Sequence, residues 1–277
     1  MKKINEIFLK ILIWACGLFV FLLCLSMIVY IFVRGLPYIS LQLLTSAPSV
    51  LRGTEGILPM IINTIYIIII TLLIATPIGI GAAIYLNEYA KNTSRFVHAI
   101  EFTIETLAGI PSIIYGLFGF MFFVTFLKLQ MSILSGALTL AIITLPIMIR
   151  TTQESLKTVP DHYREGALAL GAPKSYMIKT ILVPCAMPGI VTAIILSIGR
   201  IVGESAALIF TAGIGYSLPA NAFTHIFKSG ATLTVQLYQY LALGKDLDVC
   251  FAIAAVLIVI ILIVNYSTKK ISNRLKK

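Results

Sequence analysis

The chain has 277 residues, 59% apolar and 12% charged, with a mean hydropathy of +1.00 and a net charge of +10. A soluble domain carries about 25% charged residues, so this chain has too little polar sequence to cover a water-facing globule, which excludes a cytosolic enzyme, a disordered chain and a DNA-binding protein. In a membrane protein a basic balance reflects basic cytoplasmic loops.

Charge-free runs cover 11–33, 56–87, 106–127, 129–149, 180–199 and 249–268. Each reaches the roughly 20 residues that cross a hydrocarbon core, and together they predict an all-α integral membrane protein with six spans. The first run follows Met1-Lys2-Lys3, as a secretory signal would. It is longer than a signal's apolar core and no A-x-A site follows, so it reads as an uncleaved first span. An even number of spans places both termini on one side. A cytoplasmic assignment leaves Arg34, Arg52, Lys128, Lys228 and Lys245 outside and, Arg200 apart, every other Lys and Arg inside. That asymmetry favours both termini in the cytoplasm. The expected organisation is a first span and outer loop over 1–56, a core over 57–267 and a basic tail over 268–277. Cys16, Cys24, Cys185 and Cys250 form no CxxC pair and read as small apolar residues.

The second span contains Pro59 and Pro77. The third follows Glu101 and Glu105 and breaks at Gly109-Ile110-Pro111, and the fourth contains Pro146. Lipid tolerates such kinks only where neighbours satisfy the freed carbonyls, which points to a transporter. Glu101 and Glu105 face either basic residues of the inner loop or the headgroup region. The inner connection 150–183 is the most charged. In it Thr158 is expected to cap a helix from Asp161 to Leu170 that stops at Gly171. Pro173 opens a second helix ending near Pro184.

The fifth span reads as one helix from Pro188 to Thr211. Gly189, Ala193, Ser197, Arg200, Glu204, Ala207 and Thr211 then form one small and polar stripe. Arg200 falls about halfway along, where a charge costs on the order of 3 kcal/mol and a functional role is the default. Glu204, one turn on, can neutralise it. The guanidinium fork suits an oxyanion; the alternative is a salt bridge that only holds the bundle. Gly199 and Gly203 permit close packing, either within the chain or against a sibling subunit. The run 205–227 carries Gly213, Gly215 and Pro219, so only its first part continues a helix. The outer segment 229–244 is either interfacial or re-entrant. No phosphate-cradling G-x-x-x-x-G-K-[ST] occurs; Gly244-Lys245 is followed by Asp246.

Glu165-Gly166-Ala167, then Gly171, then Ile181-Leu182-Val183-Pro184 resembles the EAA loop of ABC importer permeases, departing from EAA-x3-G-x9-I-x-LP at Gly166 and Val183. Three further runs are similar to the PstA family of phosphate importer permeases. They are Ile78 to Tyr89, Glu105-Thr106-Leu107-Ala108-Gly109-Ile110-Pro111-Ser112 continuing to Gly119, and Gly199-Arg200-Ile201-Val202-Gly203-Glu204-Ser205-Ala206. The resemblance implies the type I (MetI-like) permease fold and transport of inorganic phosphate. It implies an ATPase-coupling surface at Glu165, Gly166, Ala167 and Gly171, and a substrate path at Arg200, Glu204 and Ser197. It also implies a PstC-like sibling permease, a PstB-like ATPase dimer that carries the ATP and magnesium, and a PstS-like phosphate-binding protein. This chain is expected to bind no cofactor or metal and to have no catalytic residue of its own. The rival readings are a permease for sulfate or molybdate, a gradient-driven secondary transporter, and an intramembrane enzyme using Glu101, Glu105 and Glu204.

Overall fold

The computed structural model describes residues 2–49, 55–90, 94–219, 221–244 and 247–275. Arg52, Lys91, Lys245, Asp246, Lys276 and Lys277 lie outside the described residues. In chain order the helices are α1 (Lys2–Gly35), α2 (Leu41–Thr45), α3 (Leu58–Ile84), α4 (Arg95–Gly109), α5 (Ser112–Gly119), α6 (Ile133–Lys157), α7 (Asp161–Ala169), α8 (Lys174–Met177), α9 (Val183–Gly203), α10 (Ala206–Thr211), α11 (Ala222–His225), α12 (Leu233–Ala242) and α13 (Leu247–Leu275). Wider π-turns close α3 (Tyr85–Tyr89), extend α5 (Phe120–Phe126) and join α8 to α9 (Ile178–Leu182).

Among the described residues five helical stretches are long and apolar enough to cross a membrane, and the bent pair Arg95–Gly109 and Ser112–Phe126 makes up to six. The predicted break at Gly109-Ile110-Pro111 is there, as a bend of 104°. Pro111 disfavours the helical region for the residue before it, and Ile110 is extended (φ −72°, ψ 131°). The run 106–127 is therefore not one straight span. The Tyr115 hydroxyl donates to the Leu107 carbonyl at 2.7 Å across the bend and pins it.

The bundle is built around α6, on which both α3 and α9 pack, and these two also meet each other. Small residues let the helices close on each other: a Cβ at Gly79 would strike the Met148 side chain, and one at Gly189 would strike Ser155. Hydroxyls on these helices turn back onto their own backbones, as Thr64 does to Met60 and Thr144 to Leu140. That satisfies them where no water is available. α1 lies at the rim with its apolar side chains exposed and packs chiefly on α13. There Arg34 pairs with Asp248 at 2.9 Å, Tyr30 meets Phe251 edge-on, and Gly35 lies against the Phe251 backbone.

The segment after α10 folds back over the bundle end that carries the first turns of α3 and α6. Backbone N–H groups of Ile133 and Leu134, orphaned at the start of α6, donate to the carbonyls of Lys228 and Ile226. α12 packs on α13, α3 and α10 with Leu233, Val235 and Gln236 buried, and it leaves Tyr238 and Leu241 exposed.

Candidate functional site

The fifth span departs from its prediction at the point that matters most. It is not one helix from Pro188 to Thr211: α9 ends at Gly203, Glu204 is extended (φ −85°, ψ 122°), and α10 restarts at Ala206. Glycine at 203 weakens the helix, and the Glu204 carboxylate accepts the Ala207 N–H at 3.2 Å, offering the backbone an alternative to continuing. Arg200 consequently sits in the last turn of α9 rather than halfway along a span. Its positive charge faces the negative end of one helix, and Glu204 answers the positive end of the next. The break thus helps to stabilise both charges.

The two are not tightly joined. Arg200 Nη2 and Glu204 Oε2 are 4.0 Å apart, with the Arg200 side chain 43% exposed and that of Glu204 6% exposed. The Glu204 carbonyl accepts the Thr234 hydroxyl at 3.1 Å, which ties the break to α12. A Cβ at Gly199 or Gly203 would meet nothing within 4 Å, so the glycine pair does not pack within this chain. Thr192, Leu196, Gly199, Arg200 and Gly203 form one open face. The rest of the predicted stripe turns the other way: Ala193, Ser197, Glu204, Ala207 and Thr211 are buried, as are Ile190, Ile198 and Ile201. The Ser197 hydroxyl donates to the Ala193 carbonyl at 2.8 Å and does not reach the open face.

At the opposite end of the bundle, α7 is the predicted short helix, but its surroundings differ. Thr158 does not cap it; its hydroxyl donates back to the Ser155 carbonyl and closes α6, and Pro160 takes the N-cap position. The helix stops in a Schellman arrangement, with the Gly171 N–H on the Leu168 carbonyl and the Ala172 N–H on the Ala167 carbonyl. Gly171 has φ +74°, a conformation that costs other residues about 1–2 kcal/mol. The second predicted helix does not end near Pro184; it runs through α8 and its π-turn into α9, as one stretch Lys174–Gly203. Pro184 lies just after the π-turn, within that continuous stretch.

Glu165, Gly166 and Gly171 are exposed on this knob, whereas Ala167 is buried against Leu156, Val159, Met177 and Leu182. Leu170, at the tip, is 90% exposed, and Tyr163, Leu168 and Tyr176 are exposed beside it. These apolar groups were not singled out from the sequence, although the tip of a charged connection is an unusual place for a leucine.

Also unforeseen is the fastening beneath α7. Arg164 donates to Glu88 Oε1 from Nε at 3.2 Å and from Nη2 at 3.0 Å. It further donates to the carbonyls of Leu156 and Val159 and to Asp161. Lys174 donates to the Glu88 carbonyl and lies over the Tyr89 ring. Glu105 pairs with Arg150, so one of the two glutamates before the bend does find a basic partner, on α6.

Residues 75–277 match the family of binding-protein-dependent transport system inner membrane components. The chain belongs to that family. It is a subunit of a multi-span ABC permease, with the fold of the ABC importer permeases. It is 33% identical to the probable ABC transporter permease protein YqgI of Bacillus subtilis, over 100% of this chain and 98% of that one. It is 36% identical to the phosphate transport system permease protein PstA of Pasteurella multocida, over 87% of this chain and 84% of that one. Among solved structures it resembles a chain of a bacterial alginate ABC transporter in complex with an alginate-bound periplasmic protein, with a TM-score of 0.66 and 17% identity over 96% of this chain and 95% of that one. At that identity the likeness concerns the fold.

Proposed function

We propose that this chain is a permease subunit of an ATP-driven importer of inorganic phosphate. The observation that carries the reading is the half-exposed Arg200, loosely paired at a helix break, in a chain related over most of its length to a phosphate permease. A free guanidinium fork can donate two hydrogen bonds to one oxyanion, and burial of Glu204 beside it holds the fork when no anion is present. The open face at Gly199, Arg200 and Gly203 is where the sibling PstC-like permease closes the path. Ser197, turned inward, is left out of that path. Both termini and α7 lie in the cytoplasm.

Glu165, Gly166 and Gly171, with Tyr163, Leu168 and Leu170, form the surface that seats in a PstB-like ATPase dimer, and Ala167 supports them from below. ATP and magnesium belong to that dimer. Its closure moves the paired α7 knobs, the bundle opens outward, and a PstS-like protein delivers phosphate; hydrolysis restores the inward state.

The test is uptake of labelled phosphate by the whole complex in proteoliposomes with ATP inside. Phosphate uptake that excess sulfate and molybdate do not suppress is the expected result. Suppression by either anion moves the substrate to that oxyanion, and uptake driven by an ion gradient without ATP overturns the ATP-driven reading.

A further inference from the structure

A displacement of α7 has an obvious route to Arg200, because α8 and α9 follow it directly in the chain. The hydrogen bonds mark out another. We infer that Arg164 and Glu88 are a strut that delivers the displacement of α7 to α3, and that α3 carries it to the Arg200–Glu204 break; this rests on the importer reading above.

The near end of the route is unusually well fastened. The Glu88 side chain is 4% exposed and that of Arg164 18%. Their separation in sequence is 76 residues, so the pair joins distant segments rather than neighbours. Arg164 holds three elements at once: Glu88 at the end of α3, the Leu156 and Val159 carbonyls where α6 ends, and Asp161 in the first turn of α7. The planar fork fixes these directions together, which an ammonium cannot do. Lys174 adds a second tie from α8 to the Glu88 carbonyl. The Val159 carbonyl gains a partner in this way, and the Leu156 carbonyl, which already accepts the Val159 N–H, gains a second.

The far end of α3 is fastened too. Asn63 Nδ2 donates to the Ala231 carbonyl at 3.1 Å, and the Leu233 N–H donates to the Thr64 hydroxyl at 3.1 Å. These bonds hold the start of α12, whose Thr234 holds the carbonyl of Glu204. From Thr64 to Glu88 an unbroken helix would span about 36 Å. α3 is therefore a rod tied at one end to the coupling knob and at the other to the segment that grips the break.

The test uses the whole complex in lipid nanodiscs, with this chain's native cysteines replaced. Spin labels at Tyr85→Cys and His162→Cys report the spacing between the end of α3 and α7. A control pair at His162→Cys and Phe223→Cys reports displacement between the two ends of the chain. On adding ATP and magnesium, the control distance changes while the Tyr85–His162 distance stays within about 2 Å. Arg164→Lys keeps the charge and loses the fork; it broadens the Tyr85–His162 distribution, and phosphate moved per ATP falls about tenfold, a size typical of coupling energies, while the ATPase still co-purifies. A wild-type Tyr85–His162 distance that shifts by more than about 5 Å, a control pair that does not move, or Arg164→Lys with unchanged phosphate per ATP overturns the strut. If the wild-type complex hydrolyses ATP but moves no phosphate, the phosphate reading fails, and the two distances still decide the strut.

Discussion

The Arg164–Glu88 and Arg200–Glu204 pairs use the same two residue types at opposite ends of the bundle. In the first, both partners are largely buried and the guanidinium is committed to a carboxylate and to backbone carbonyls. In the second, the charges are 4.0 Å apart and the arginine is 43% exposed. The difference lies in what surrounds the arginine. Arg164 is ringed by the ends of three elements whose carboxylates and carbonyls use up its donors. Arg200 has a glycine on either side along its open face and keeps its donors available. One pair is a fastener, and the other is a charge held ready.

Substitutions can break this contrast or sharpen it. The largest effect is expected from Arg164→Ala, which leaves the Glu88 carboxylate buried without a partner. A loss of about 3 kcal/mol is expected, seen as an earlier thermal unfolding midpoint of the purified complex. Arg200→Gln should do the reverse. It should change stability by less than about 1 kcal/mol, because the pair is loose, the arginine is 43% exposed and the Glu204 carboxylate keeps its hydrogen bond from the Ala207 N–H. Phosphate uptake should fall about thirtyfold, the equivalent of one charge-assisted hydrogen bond of about 2 kcal/mol. Equal losses of stability and uptake in both variants would erase the distinction.

Gly171→Val strains a left-handed position by about 1 kcal/mol and should reduce ATPase co-purification while leaving the Arg200 end intact. A smaller effect is expected from His225, in the segment over the Arg200 end. Burial pushes its imidazole below the ordinary histidine value, with Lys228 adding to the shift. Its Nε2 bonds Asn63 Oδ1 at 2.7 Å while Nδ1 has no partner. The unfolded chain therefore takes up the proton first. His225's contribution is complete above about pH 6.5 and is lost as the pH falls below it. Thermal midpoints measured from pH 7.5 to 5.5 should decline, and His225→Gln should flatten the decline. Ser197→Ala should matter least: its hydroxyl serves only its own helix, so a change within about 0.5 kcal/mol is expected in the same unfolding assay.

Much of the bundle is legible in the sequence because lipid imposes a simple rule. A charge-free run of sufficient length crosses, and proline after an apolar stretch bends it, as at Pro111. The end of α7 is legible for a similar reason, since glycine takes the left-handed conformation found at Gly171 without the cost other residues carry. The break after Gly203 is not. Arg200 and Glu204 are four residues apart, the spacing of neighbours on a continuous helix. Nothing local reveals that the Glu204 carboxylate turns to the Ala207 N–H instead. The predicted stripe splits with it: Ala193, Ser197, Ala207 and Thr211 are buried in the protein, while Arg200 stays on the open face. The strut was out of reach for another reason. Glu88 ends an apolar run and Arg164 sits in a charged loop, so each alone looks like an ordinary interfacial charge. Only the packing of α3 against α6 brings them together.

The place of α1 has a consequence for biosynthesis. Its principal partner is α13, through Arg34 and Asp248, Tyr30 and Phe251, and the close approach at Gly35. Every other span is translated between the two. α1 must therefore wait in the bilayer, with its apolar side chains against lipid, until the ribosome has delivered α13. A chain interrupted before Asp248 would leave α1 without that partner, so the α1–α13 seam closes only after the helices between them have been made.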